Sequence, residues 1–197
     1  MAKQIKSSIE LAMEKMAKLP KLTKEEIRER REKEYGPLGR SIAARFLTGA
    51  LAETRLEVEL SEHADERGEI VRKAFSESLC QSIDLEDAEA TARVLEAIKA
   101  LVHNHQLEEM ASRLDGILRD YERQKQQELQ TVEQTVSAQV RDLGISGSAI
   151  RLNPQENEPW RRRWSELQQT FRPKLDEIKQ ELTDHLISSL RRLRGRS

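Results

Sequence analysis

From Leu85 to Leu143 the chain has no proline and a single glycine, Gly116. Over the same stretch Leu85, Ala88, Ala92, Leu95, Ile98 and Val102, then Leu114, Ile117 and Tyr121, recur at the three-to-four-residue spacing of a helix. Drawn as one uninterrupted helix, this stretch would be roughly 87 Å long. A rod of that length cannot bury itself in a small domain, so it must lie along another helix. That requirement constrains the fold more than any other feature of the sequence.

A second run with the same spacing supplies the partner. Trp160, Trp164, Leu167, Phe171, Leu175, Ile178, Leu182 and Leu186 define a helix over about Pro159–Leu193. Between the two runs, residues 144–158 collect turn chemistry: Gly144-Ile145-Ser146-Gly147-Ser148, then Asn153-Pro154 and Glu158-Pro159. The simplest packing folds the runs back on each other as a long antiparallel, coiled-coil-like hairpin across residues 84–197. Its seam is expected from Tyr121, Leu129, Val132 and Val136 on one arm and Trp160, Trp164, Leu167 and Phe171 on the other. The first arm also reads Ile117, Tyr121, Lys125, Leu129, Val132, Val136, Val140, a drift between heptad and eleven-residue repeats that predicts a nearly straight or irregular coil. Residues 84–143 carry a net charge of −6 and residues 144–197 of +4, which favours the pairing. Gly116, or the polar gap from His103 to Glu109, is where the first arm would break. Pro173 predicts a kink or a split in the second.

Composition agrees with an all-α fold. Only 37% of the 197 residues are hydrophobic and 4% aromatic, while 35% are charged, against about 25% in an ordinary globular chain. That suits amphipathic helices, each needing one apolar stripe, and excludes a β sandwich or a doubly wound sheet.

Ahead of the hairpin, Ile5, Ile9, Met13, Met16 and Leu19 predict a first helix that Pro20 ends. Thr23-Lys24-Glu25-Glu26 is a capping box for a charged helix over about Lys24–Tyr35, and residues 1–35 together read as N-terminal helices, either docked or mobile. Gly36-Pro37 predicts a break. Residues 36–83 then read as a small three-helix cluster: Pro37–Thr48, Leu51–His63 and Glu66–Ser82. Leu38, Ile42, Phe46 and Leu47 repeat on one side of the first of these, and Leu51, Leu56, Val58, Leu60, Ile70, Val71, Phe75, Leu79, Cys80 and Ile83 are the candidate core.

Candidate chemistry is sparse. Neither His-Glu-x-x-His nor Glu-x-x-His occurs, and the best two-ligand fragments are His105 with Glu109 and Glu181 with His185, so no metal or other cofactor is expected. Cys80 lies on or beside an apolar helix face and reads as inert packing. The glycine-serine run at 144–148 follows a helix and lacks the Gly-Lys-Ser/Thr of a phosphate loop. No nucleophile has an evident base, so no catalytic residue is assigned and no enzyme is expected.

The remaining candidates are binding features. The loop residues Ile145, Ile150 and Leu152 could dock another protein from the hairpin tip. Arg161, Arg162 and Arg163 stand between the two tryptophans, and with Arg191, Arg192 and Arg194 near the C-terminus they form the candidate polyanion-binding set. Trp160 and Trp164 are read first as seam residues. One cysteine, no signal-like apolar run and no window of membrane-spanning hydrophobicity predict a cytoplasmic protein away from the membrane. The function expected is a non-catalytic interaction or scaffold protein with an unidentified protein partner. It should also pair with itself as a homodimer, because Leu101, Leu107, Met110 and Leu118 on the hairpin flanks need cover. A nucleic-acid-binding protein and a regulatory or assembly subunit docking through its loop are the alternatives.

Overall fold

The computed structural model describes residues 23–62, 66–101, 105–142 and 158–192. The fold is all-α, with six helices among the described residues: α1 (Lys24–Leu47), α2 (Glu53–Ser61), α3 (Glu66–Gln81), α4 (Ala88–Leu101), α5 (His105–Asp142) and α6 (Glu158–Arg192). No strand occurs among the described residues. The helix expected over Ile5–Leu19 lies outside them.

α1 starts at the predicted capping box: the Thr23 hydroxyl accepts from the Glu26 amide at 3.2 Å, and the Glu26 carboxylate accepts from the Thr23 amide at 2.7 Å. It then runs through Gly36-Pro37 without the predicted break, so the boundary expected at residue 35 falls inside a helix. Pro37 removes the donor that would have served Lys33, but both residues face solvent, where water can serve that carbonyl. Gly36 and Gly39 are buried, and Gly39 lies where α1 comes against α3. A Cβ on Gly39 would stand 2.2 Å from the Val71 carbonyl oxygen and 2.8 Å from the Phe75 amide nitrogen. The glycine allows two backbones to touch, and burial of Ile42, Ala43 and Phe46 beside it outweighs poor helix propensity. The two helices run parallel: Arg31 pairs with Glu66 near the start of α3, and Gly39 meets Val71 and Phe75 further along.

α2 shows why one candidate core residue, Val58, is outside. Leu56 and Leu60 are one helical turn apart and fully buried, which turns Val58 away to 52% exposure. On α1, Ile42 and Phe46 take the buried face and leave Leu38 38% exposed.

The long rod predicted from Leu85 onward is interrupted. Glu86, just ahead of α4, bonds Tyr121 and Lys125 of α5. On one straight helix residues 86 and 121 would be roughly 52 Å apart, so the chain has turned back between them. α4 ends at Leu101, and α5, which begins at His105 in the polar gap, passes through Gly116 unbroken. α6 is likewise continuous through Pro173, which is exposed, as is Gln169 four residues earlier, whose carbonyl loses its donor.

α5 and α6 are antiparallel. Glu128 pairs with Arg163, the Tyr121 ring meets Phe171 edge-on at 5.5 Å, and Arg113 pairs with Glu181 at 2.8 Å. α3 packs between α1 on one side and α6 on the other, while α2 and α4 pack together beside it. One continuous buried cluster extends from Ile42 on α1 to Leu190 on α6 and includes Ile83 and Leu85, so the boundary expected at residue 83 lies within it. This layering also covers the flanks for which a second copy was invoked. Leu101 and Leu107 are buried within the single chain, and Met110 and Leu118 pack against its core.

Three helix C-termini are closed by cations from elsewhere. Arg93 of α4 donates to the Leu47 carbonyl of α1 at 2.7 Å, and Arg72 of α3 to the Leu60 carbonyl of α2 at 3.3 Å. Lys179 of α6 donates to the Ile83 carbonyl at 2.6 Å and to Gln81 at 3.3 Å, just past and at the end of α3. A cation there meets both bare carbonyls and the negative end of the helix dipole.

Candidate functional site

The seam residues divide into two groups. Tyr121, Val132, Trp160, Leu167 and Phe171 are buried, while Leu129, Val136 and Trp164 are half-buried. Tyr121, Leu167 and Phe171 belong to the continuous core, but Val132 and Trp160 are buried beyond it, so α5 and α6 stay together past the end of that core. Trp160 and Trp164 stack at 6.3 Å with 17° between their planes, a consequence of standing one turn apart on one face.

Next to the seam is a polar junction with Glu86 at its centre. Tyr121 donates its hydroxyl proton to Glu86 Oε1, and Lys125 Nζ lies 2.5 Å from Oε2. Trp164 shares its indole N–H between Oε1 at 3.0 Å and the Tyr121 hydroxyl oxygen at 2.9 Å, and Gln168 Nε2 stands 3.5 Å from Oε1. The Lys125 ammonium also sits 5.7 Å from the centre of the Tyr121 ring and 5.8 Å from that of Trp164. One carboxylate of the segment between α3 and α4 thus gathers donors from both long helices.

Burial pushes the Glu86 carboxyl up, but the hydrogen bonds from Lys125, Tyr121 and Trp164, together with the Lys125 charge, outweigh it and hold the group below its ordinary value. Burial and the bond to Glu86 push the Tyr121 phenol up to about 12. Lys125 carried a sequence signal, since a lysine on an apolar seam requires a counter-ion. Glu86 carried none, because nothing local shows that its segment returns to α5.

Two of the six candidate arginines are paired with carboxylates. Arg163 pairs with Glu128 across the seam and Arg162 with Glu166 one turn on; Arg161 and Arg191 are exposed. Arg162 and Arg163 line an open groove of about 670 Å³ together with Glu128, Glu158 and Glu166, so carboxylates match the cations there. The side chain of Arg192 lies outside the described set, as do Arg194 and the loop residues Ile145, Ile150 and Leu152.

Cys80 is buried on α3, facing α6. Burial pushes its thiol up to about 11, against smaller opposing effects of the Thr183 hydroxyl and the Lys179 charge. A thiol so placed is a poor nucleophile at neutral pH. Among the described residues no three His, Cys, Asp or Glu side chains group as a metal site would require, and no helix is long and apolar enough to cross a membrane.

No curated protein and no solved structure matches the chain. A family match covers residues 57–184, from within α2 to within α6, and so contains the whole Glu86 junction and the α5–α6 contact. On this match the chain belongs to DUF6657, a family of unknown function.

Proposed function

We propose that this chain is a non-catalytic helical interaction protein of the cytoplasm, in which a multi-helix core holds out the end of the α5–α6 pair as a surface for other proteins, beginning with a second copy of itself. What supports the reading is how far α5 extends. Tyr121 is its last residue in the continuous core, yet the helix continues to Asp142, about 32 Å further at the rise of an α-helix. Apart from the Lys125 and Glu128 pairs near its base, that extension adds no residue to the continuous core behind it. Its apolar stripe persists through Val132, which is buried, to Val136 and Val140, which are half-buried. A stripe maintained beyond the fold's own needs is material for association. The polyanion alternative is weaker, because Arg162 and Arg163 are paired with carboxylates.

Sedimentation equilibrium of the full chain at micromolar concentration tests the proposal. Self-association gives masses above 22.8 kDa, and the double substitution Val136→Glu with Val140→Glu returns the chain to the monomer mass. A wild-type chain found only as a 22.8 kDa species would overturn it.

A further inference from the structure

The Glu86 junction has a property that neither packing nor association requires. Its carboxylate is the shared acceptor of a donor-rich site: Lys125 and the Trp164 indole can only donate, and the Tyr121 hydroxyl already spends its proton on Glu86. Gln168 turns its amide nitrogen toward the same oxygen, while its own oxygen accepts from Arg172 at 3.4 Å. A proton placed on Glu86 therefore turns the shared acceptor of the site into one more donor and removes the charge that holds Lys125. It also leaves Lys125 with Glu122, 4.0 Å away, as its remaining carboxylate.

We propose that Glu86 is an acid-released clasp: protonating this one carboxylate detaches the segment between α3 and α4 from α5 and α6 while the helices themselves stay folded. The charged and titratable groups around it are accounted for. α5 contributes Lys125, Tyr121 and Glu122, and α6 contributes Trp164 and Gln168, with Arg172 behind the latter. On its own segment Asp84 is engaged by the Glu86 amide at 2.8 Å and Asp87 by the Ala90 amide at 2.9 Å. Only Lys125 among these neutralises Glu86 directly. The depressed ionisation of Glu86 accords with this arrangement, as the site favours the charged form.

Trp164 reports the clasp through its N–H bond, and Trp160→Phe in the full-length chain leaves it as the sole tryptophan, since the sequence has two. In that background, emission of Trp164 and far-ultraviolet circular dichroism are followed from neutral pH downward. The expected result is a one-proton change in emission below about pH 4.5, with helical signal unchanged across the same interval. Glu86→Gln, which presents amide donors as a protonated acid does, should show the acid-form emission already at neutral pH and lose the transition. Emission and helicity falling together, or Glu86→Gln keeping both the neutral-pH emission and the transition, would overturn the proposal. Should Glu86→Gln fail to fold, Lys125→Met decides: removing the counter-charge must move the transition to higher pH, and an unmoved midpoint refutes the clasp.

Discussion

Replacing Gly39 by alanine tests the α1–α3 contact on which the fold turns. The added Cβ would stand 2.2 Å from the Val71 carbonyl oxygen, 2.8 Å from the Phe75 amide nitrogen and 3.0 Å from the Ala74 Cβ, where ordinary contact begins near 3.4 Å. The first two obstacles are backbone, so no rotamer change relieves them, and the helices must separate by about 1.2 Å at this point, which close-packed interiors resist. Overpacking of this kind costs about 1–3 kcal/mol, and rigid obstacles place it near the top of that range. Alanine in a helix interior returns about 1 kcal/mol relative to glycine. The net expectation is a loss of about 2 kcal/mol, or roughly 4–8 °C in Tm for a chain of this size. Gly116→Ala is the control, because a Cβ there meets nothing within 4 Å. Freed of any clash, it should gain the propensity term and raise Tm by about 2–4 °C. Thermal melts by circular dichroism of the two variants beside wild type provide the comparison. A Gly39→Ala chain that melts at or above the wild-type temperature would show that α1 and α3 do not approach this closely.

Two further outcomes follow from other parts of the structure. Cys80 should resist a thiol reagent at neutral pH in the folded chain and react at once in denaturant; because its folded pKa is raised to about 11 from 9.0, its contribution to stability is full below pH 9 and is lost as pH rises toward 11, and prompt labelling of native protein would contradict the burial. Lys179→Met keeps the aliphatic stem but removes the cation serving the Gln81 and Ile83 carbonyls, so denaturant unfolding should show a loss of about 1 kcal/mol, and an unchanged midpoint would rule out the cap.

The long helices were legible because their periodicity is strong and their arms carry complementary charge; Tyr121, Leu167 and Phe171 could be placed on a shared seam before any coordinates. Breaks were harder to place, for a physical reason. Gly36-Pro37 and Pro173 are poor helix formers, but propensity differences of about 1–3 kcal/mol yield to packing when the unserved carbonyl faces water. Which of the two candidate breaks in the first arm is used, Gly116 or the polar gap from His103, is not decided by local sequence: α4 ends at Leu101, and α5 runs unbroken through Gly116. Folding back between these helices is enforced by partners distant in sequence, among them Glu86 with Tyr121 and Lys125. The same blindness hid Glu86, whose importance exists only once the chain has doubled back. Val58 stands outside because Leu56 and Leu60 fix the inward face of a helix too short to bury a second one.

The cations that close the ends of α1, α2 and α3 come from positions 46, 12 and 98 residues downstream of the carbonyls they serve, counting Lys179 to Gln81. A nascent chain emerging from the ribosome therefore makes α3 long before it makes the residue that stoppers it. Until α6 has been synthesised, the carbonyls of Gln81 and Ile83 lack the cation that Lys179 supplies. Closure of the end of α3 is thereby tied to the later arrival of α6, so these two helices depend on each other across nearly a hundred residues of chain.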